Sequence, residues 1–229
     1  FQLNGMYAYN FMVSDLIEAN LAVQAGLGNR GLDKEKLIFG FDPGTGDPIT
    51  PDLSDYADNI MYADFGTGFL IGYDEKYFLG GAVHHLSQPN ISLKTGDIYN
   101  LPMKFTVHAG ANLNTGGSGY RKSSGPQLSI SPNLMYQRQG DYQQLNLGTY
   151  FTYNPFVAGI WYRHAFENPD AVILSLGLQQ NNLRLGYSFD YTISSLSLAG
   201  GGAHEISVSW VFECDEKRRR SRAIKCPSF

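Results

Sequence analysis

No stretch of roughly eighteen or more apolar residues occurs in this 229-residue chain, so a hydrophobic helix long enough to cross a bilayer is excluded. Charged residues are scarce as well, at 17%, and the formal net charge is only -4. That balance gives no general pull toward nucleic acid or an anionic surface. Cysteine is absent until Cys214, and the second, Cys226, follows shortly after. Thiols confined to one short segment fit an exported chain with a single local bridge. The chain opens at Phe1 with no Met, no charged leader and no apolar leader segment, so export would require a signal peptide that this sequence does not include. What is abundant is Gly (26), Tyr (15) and Phe (14). That combination with a middling mean hydropathy is unusual for a soluble enzyme. It suits strands that alternate between apolar and polar faces.

Period-two alternation recurs from end to end. Strand side chains point to opposite faces in turn, so a strand between lipid and a wet lumen must alternate. The pattern is cleanest late in the chain. Leu183, Leu185, Tyr187, Phe189 and Tyr191 oppose Arg184, Gly186, Ser188 and Asp190. Val172, Leu174, Leu176 and Leu178 oppose Ile173, Ser175, Gly177 and Gln179. Ile206, Val208, Trp210 and Phe212 oppose Glu205, Ser207, Ser209 and Val211. Earlier segments repeat the logic with Tyr7, Tyr9, Phe11 and Val13, then with Leu21, Val23, Ala25 and Leu27. Phe65, Phe69, Ile71 and Tyr73 stand against Asp64, Gly66, Gly68 and Gly72. In 156–166, Phe156, Ala158, Ile160 and Tyr162 are expected to face lipid, and Gly159, Trp161 and Arg163 to face inward.

Eleven such segments are expected, each about the 9–11 residues that a tilted strand needs to cross a bilayer. Short connections at 14–17, 74–76, 154–155 and 180–182 alternate with longer ones at 29–59, 88–102 and 192–203, with 139–142 as the exception. The short turns belong on the periplasmic side. The predicted fold is an all-β, transmembrane antiparallel barrel over residues 1–213, followed by a periplasmic tail at 214–229. Bacterial barrels have even strand counts, and an open edge in lipid leaves backbone groups unpaired. Eleven strands therefore imply an odd number of further N-terminal ones. A soluble β-sandwich also alternates, but its strands are typically about 5–6 residues long. Here, moreover, Tyr73, Tyr77, Tyr153, Tyr191 and Phe212 sit at segment ends, as an interfacial girdle would place them.

Few constellations point to chemistry. Gly26-Leu27-Gly28-Asn29-Arg30-Gly31 fits G-x-G-x-x-G, but a strand leads in and a polar loop follows, without the helix N-terminus that receives a phosphate. These glycines read as small inward residues and a loop entry, and no cofactor is expected. Adjacent on a strand, His84 and His85 are expected to point to opposite faces, which rules out a shared metal. His84 and His108 fall on the inward side of neighbouring strands, where a buried polar network outweighs a metal pair. Arg163, Arg184, Asp190 and Glu205 share the inward face of consecutive strands. They read as an internal ion-pair network in a plugged lumen, with pore lining or binding as the alternative. The acidic loop 42–58 carries Asp42, Asp47, Asp52, Asp55 and Asp58 but lacks the EF-hand order and its terminal Glu, so it reads as a solvated loop. No nucleophile-elbow pattern occurs, and no enzyme is expected.

The tail is the oddest segment. Lys217, Arg218, Arg219, Arg220 and Arg222 lie between Cys214 and Cys226. A disulfide joining the two cysteines would stabilise the loop by about 2–4 kcal/mol at most. The basic run reads either as a solvated tail or as a docking patch for an acidic periplasmic partner.

Several segments together resemble a known family. They are Gly159-Ile160-Trp161-Tyr162-Arg163, Leu183-Arg184-Leu185-Gly186-Tyr187-Ser188-Phe189-Asp190-Tyr191 and Gly202-Ala203-His204-Glu205-Ile206-Ser207-Val208-Ser209. The middle adds Leu79-Gly80-Gly81-Ala82-Val83-His84-His85-Leu86-Ser87-Gln88-Pro89-Asn90 and Leu101-Pro102-Met103-Lys104-Phe105-Thr106-Val107-His108-Ala109-Gly110, and the end adds Cys226-Pro227-Ser228-Phe229. In order and content these resemble the PorP/SprF family of type IX secretion membrane proteins, along the whole of residues 1–229. The resemblance implies a Bacteroidota outer-membrane barrel of about fourteen strands in full, with no catalytic residues. It further implies a role in exporting, or anchoring at the cell surface, a large adhesin by binding its type IX C-terminal domain. Periplasmic or motor-linked secretion components would be further partners, with outer-membrane lipid around the barrel and no nucleic acid. A passive pore for small solutes is the alternative.

Overall fold

The computed structural model describes residues 1–37, 40–41, 43–46, 52–114, 128–166, 171–193 and 202–210. Among these are eleven long strands: β1 (Gln2–Met12), β2 (Ile17–Gly31), β3 (Asn59–Tyr73), β4 (Tyr77–His84), β5 (Lys104–Ala111), β7 (Leu128–Gln139), β8 (Tyr142–Tyr153), β9 (Phe156–Ala165), β10 (Ala171–Gln180), β11 (Leu183–Thr192) and β12 (Ala203–Trp210). A two-residue strand, β6 (Leu113–Asn114), pairs with β7, and a single 3-10 turn spans Lys34–Lys36. The long strands form one antiparallel sheet in chain order. Among the described residues the pairing order begins at β1 and ends at β12, and the sheet does not close. All eleven expected segments are therefore present. Val211 and Phe212, expected in the last strand, lie outside the described residues.

The chain clusters into two compact units. One holds Phe1–Tyr7, Ala22–Thr67 and Val83–Lys104; the other holds Ala8–Leu21, Gly68–Ala82 and the chain from Phe105 onward. Within the second, β7 to β12 pair in unbroken antiparallel registers, such as Leu147↔Tyr162 and Leu176↔Tyr187. Tight turns connect neighbouring strands of this unit. Asp74 and Glu75 both take φ of 52°, the left-handed pair that a two-residue hairpin requires if its twist is to match the strands. Lys76 closes the turn, its amide donating to Tyr73 O at 3.0 Å and its ammonium meeting Asp74 at 2.6 Å. The Asn154-Pro155 turn carries a cis peptide bond, the geometry of a type VI turn.

Burial follows the alternation with its polarity inverted. In β9, Phe156, Ala158, Ile160 and Tyr162 are exposed, while Val157 and Gly159 are buried and Trp161 and Arg163 are partly covered. In β3, Met61, Phe65, Phe69, Ile71 and Tyr73 are exposed, while Asp64, Gly66 and Gly72 are buried. Among the described residues the buried polar ones are Glu18, Asp64, Ser131 and Asn146, yet Leu176 is 63% exposed and Ile160 48%. A soluble domain would do the reverse, since burying each aliphatic side chain gains about 1.5–3 kcal/mol.

The abundance of glycine has a steric cause on the covered face. A Cβ at Gly148 would stand 2.1 Å from Cδ2 of Trp161, and one at Gly159 would stand 2.5 Å from Cε1 of Tyr150. At Gly80 it would meet the His108 ring at 2.5 Å. Large inward rings lie across the glycines of neighbouring strands, so small and large residues fill the face together.

Candidate functional site: the covered polar face and the ordered loops

In the unit that contains β7 to β12, an ion pair crosses the sheet. Arg163 on β9 and Asp190 on β11 meet at 2.5 Å, with side chains 31% and 22% exposed. They bridge over β10 at a place where the register puts the fully covered Ala171 beside Arg163. A larger residue there would block the guanidinium. Asn146, buried on β8, stands opposite Arg163. Its Oδ1 accepts from Gln144 Nε2 at 3.0 Å, and Gln144 Oε1 accepts from the Tyr142 hydroxyl. A polar line thus runs along β8 and turns across β9 to β11.

The other expected charges sit apart from this bridge. Glu205 on β12 lies opposite Ser188. With Tyr150, Ser175, Ser188 and Ser207 it lines a cavity of about 160 Å³, hollowed where Gly186 carries no side chain. Arg184 is on the same face toward the far end of β11, in register with Gln179 and Ser209. Of the four inward charges named from sequence, Arg163 and Asp190 meet in this ion pair. His108 packs on Phe78, ring centroids 5.9 Å apart, and covers Gly80. Among the described residues no group of three or more His, Cys, Asp or Glu is placed to hold a metal ion.

The other unit holds His84, whose ring lies beside Gly66, and corrects one expectation. The strand ends at His84, and His85 takes φ of 59°, so the two adjacent histidines do not point to opposite faces. The turn of the backbone brings His85 Nδ1 to 2.8 Å from Asp64 Oδ2, with the two histidine rings 6.4 Å apart. Asp64 is only 2% exposed. Gln2 Nε2 donates to the same oxygen at 3.4 Å, while Oδ1 has no partner among the described residues. The signal was present in sequence as a carboxylate at an inward position of an otherwise glycine-rich face.

Beyond the strand ends of this unit, two loops are zipped together. The Ala57 amide donates to Leu93 O at 2.8 Å and the Thr95 amide to Asp55 O at 2.7 Å, with Tyr56 bridged to Lys94. Asn90 pins the second loop by its side chain: Oδ1 accepts from the amides of Ser92 at 3.0 Å and Tyr99 at 2.9 Å, and Nδ2 donates to Asp97 O at 3.3 Å. The tip, 94–97, is a tight turn with Gly96 at φ of 86°, a left-handed position that glycine fills without strain. Lys94 and Asp97 pair across it at 3.3 Å, and that carboxylate raises the Lys94 ammonium above its usual range. Arg30 ties the loop to the end of β2 through Ile91 O at 3.2 Å. In the acidic loop, Asp58 pairs with Lys34 at 2.9 Å, and Lys34 also donates to Tyr56 O. Asp52 caps Ser54, whose amide and hydroxyl hold its carboxyl below the usual carboxylate range. Asp42 and Asp47 lie outside the described residues. So do Cys214, Lys217, Arg218, Arg219, Arg220, Arg222 and Cys226, the whole expected docking tail and disulfide.

Two comparisons with known proteins bear on this arrangement. The family described as Type IX secretion system membrane protein PorP/SprF matches residues 1–210. Among curated proteins, none matches the chain.

Proposed function

The chain belongs to the PorP/SprF family of type IX secretion system membrane proteins, and from that membership we propose a non-enzymatic outer-membrane barrel that anchors, or helps export, a large surface adhesin by holding its C-terminal domain. One observation carries the membrane half of this reading: β3 and β9 expose their aliphatic and aromatic side chains on one face, while Asp64, Asn146 and glycines such as Gly66, Gly72 and Gly159 are buried. Lipid is the solvent that makes such an arrangement favourable. In lipid a free sheet edge is prohibitive, because each unpaired backbone group costs several kcal/mol, so the sheet closes into a barrel. The short turns then face the periplasm, and the loops at 29–59, 88–102 and 192–203 face outward, where an adhesin is met.

In this reading the tail at 214–229 is periplasmic. Its basic run docks an acidic component of the secretion machinery, and Cys214 and Cys226 are oxidised to each other. Charge reversal of Arg218, Arg219 and Arg220 then lowers adhesin display while leaving barrel assembly intact; unchanged display removes the docking role. Both cysteines found as free thiols by mass spectrometry of fresh membranes would remove the bridge. The polar covered face favours one other reading, a passive solute pore. Planar bilayers separate the two, since an anchor with a filled interior conducts nothing and a pore shows steady single-channel steps. The central test is genetic: removing this chain from its bacterium abolishes adhesin at the cell surface, measured by protease accessibility on whole cells. Normal display in its absence overturns the proposal.

A further inference from the structure

We infer that the paired loops 52–58 and 86–103 are a preformed docking platform for a basic protein surface, with Ile98 and Tyr99 as its apolar anchor and Asp52 and Asp55 as its charge partners. The inference rests on the reading above, in which this end of the sheet faces outward and meets the adhesin's C-terminal domain.

The first support is order without self-burial. The loops are held by hydrogen bonds through Asn90, Ala57, Thr95 and Arg30, and Ile91 is buried beneath them. Ile98 and Tyr99 nevertheless stand 78% and 59% exposed. Lipid does not account for them, because they lie in a loop beyond β4 and not in a strand crossing the sheet. Scattered apolar residues on a surface are ordinary. An adjacent isoleucine and tyrosine on a pinned turn form an anchor of the kind that dominates protein interfaces, where tyrosine is enriched. Because the platform is already ordered, a partner pays little conformational entropy to engage it.

Charge sets the chemistry of that partner. The two loops carry Asp52, Asp55, Asp58 and Asp97 against a single Lys94. Lys94 is taken by Asp97 and Asp58 by Lys34. Asp52 and Asp55 form no ion pair among the described residues, and Asp55 is fixed beside the tip by the hydrogen bond from Thr95. A surface bearing Lys or Arg around an apolar centre complements this pattern, whereas an acidic one is repelled.

The test uses the full chain in detergent micelles, titrated with the purified C-terminal domains of the type IX adhesins from the same bacterium. Three proteins are compared: wild type, Ile98→Ser with Tyr99→Ser, and Asp52→Asn with Asp55→Asn. Retained heat-modifiable mobility on gels shows that each variant is folded. Expected are at least tenfold weaker binding for the first variant, and several-fold weaker binding with a flattened salt dependence for the second. Wild-type binding that both variants preserve overturns the platform but leaves the adhesin-anchoring function standing. No binding by wild type to any of these domains overturns both. A wild-type dimer in analytical ultracentrifugation that the variants abolish, with adhesin binding untouched, also overturns the platform, because a second copy would then be its occupant.

Discussion

Replacing Asp190 isolates the energetics of the covered face. Asp190→Asn removes the charge that Arg163 meets at 2.5 Å. Were the pair fully buried, loss of one partner would cost about 3–5 kcal/mol, because the other charge is left desolvated. Were it fully exposed, the cost would be about 0–1 kcal/mol. The side chains are 31% and 22% exposed, so screening by water discounts the buried figure to about 1–3 kcal/mol. Asn146 stands in register with Arg163, but its amide is neutral and its Oδ1 already accepts from Gln144, so it does not replace the lost carboxylate charge. The assay is urea unfolding in lipid vesicles, run as a double-mutant cycle with Arg163→Met and Asp190→Asn. A coupling energy of about 1 kcal/mol or more is expected. A value below about 0.3 kcal/mol would mean that the bridge is solvated and does not hold β9, β10 and β11 together.

Three further outcomes follow from the geometry. Leu176→Arg, on the exposed face of β10, destabilises the folded protein in vesicles by about 2–4 kcal/mol, while Ser175→Arg beside it costs clearly less; equal costs would contradict the assignment of faces. Gly148→Ala drives a Cβ to within 2.1 Å of the Trp161 ring and costs about 1–3 kcal/mol through overpacking. Gly186→Ala, which meets a single Ser207 hydroxyl, costs less, and urea unfolding ranks the two. His85→Gly relieves a left-handed backbone but strips buried Asp64 of its closest partner, so a net loss of about 1–2 kcal/mol is expected, and a gain in stability would refute the role of the pair.

The strands were legible because an exposed and a covered face impose opposite surroundings on alternate residues, and a period of two survives any register. Phe156, Ala158, Ile160 and Tyr162 were assigned outward and Gly159, Trp161 and Arg163 inward from that period alone, and the fold agrees. Tight turns at 74–76 and 154–155 were legible for a similar reason, being the interruptions of the pattern. Pairings across the sheet were not. Arg163, Arg184, Asp190 and Glu205 all alternate inward, and only the register through β10 decides that Arg163 reaches Asp190. The Asp64–His85 contact was hidden because it depends on the sign of φ at one residue just past a strand end. No periodicity reports that. The loop platform was unread for the same reason, since Asn90 organises it through its own side chain and not through a repeating pattern.

Two adjacent residues of β9 offer the sharpest test of the inverted sheet. In a chain carrying Trp210→Phe, Trp161 is the sole tryptophan and lies on the covered face. Adding Trp161→Phe and Ile160→Trp moves the indole to the exposed face one position away. Both proteins are reconstituted in bilayers of lipid brominated on its acyl chains, which quenches fluorophores in contact with the hydrocarbon. Strong quenching at position 160 with little at position 161 is the predicted result. Equal quenching at the two positions, or a stronger effect at 161, would contradict the claim that the apolar face of this sheet meets lipid.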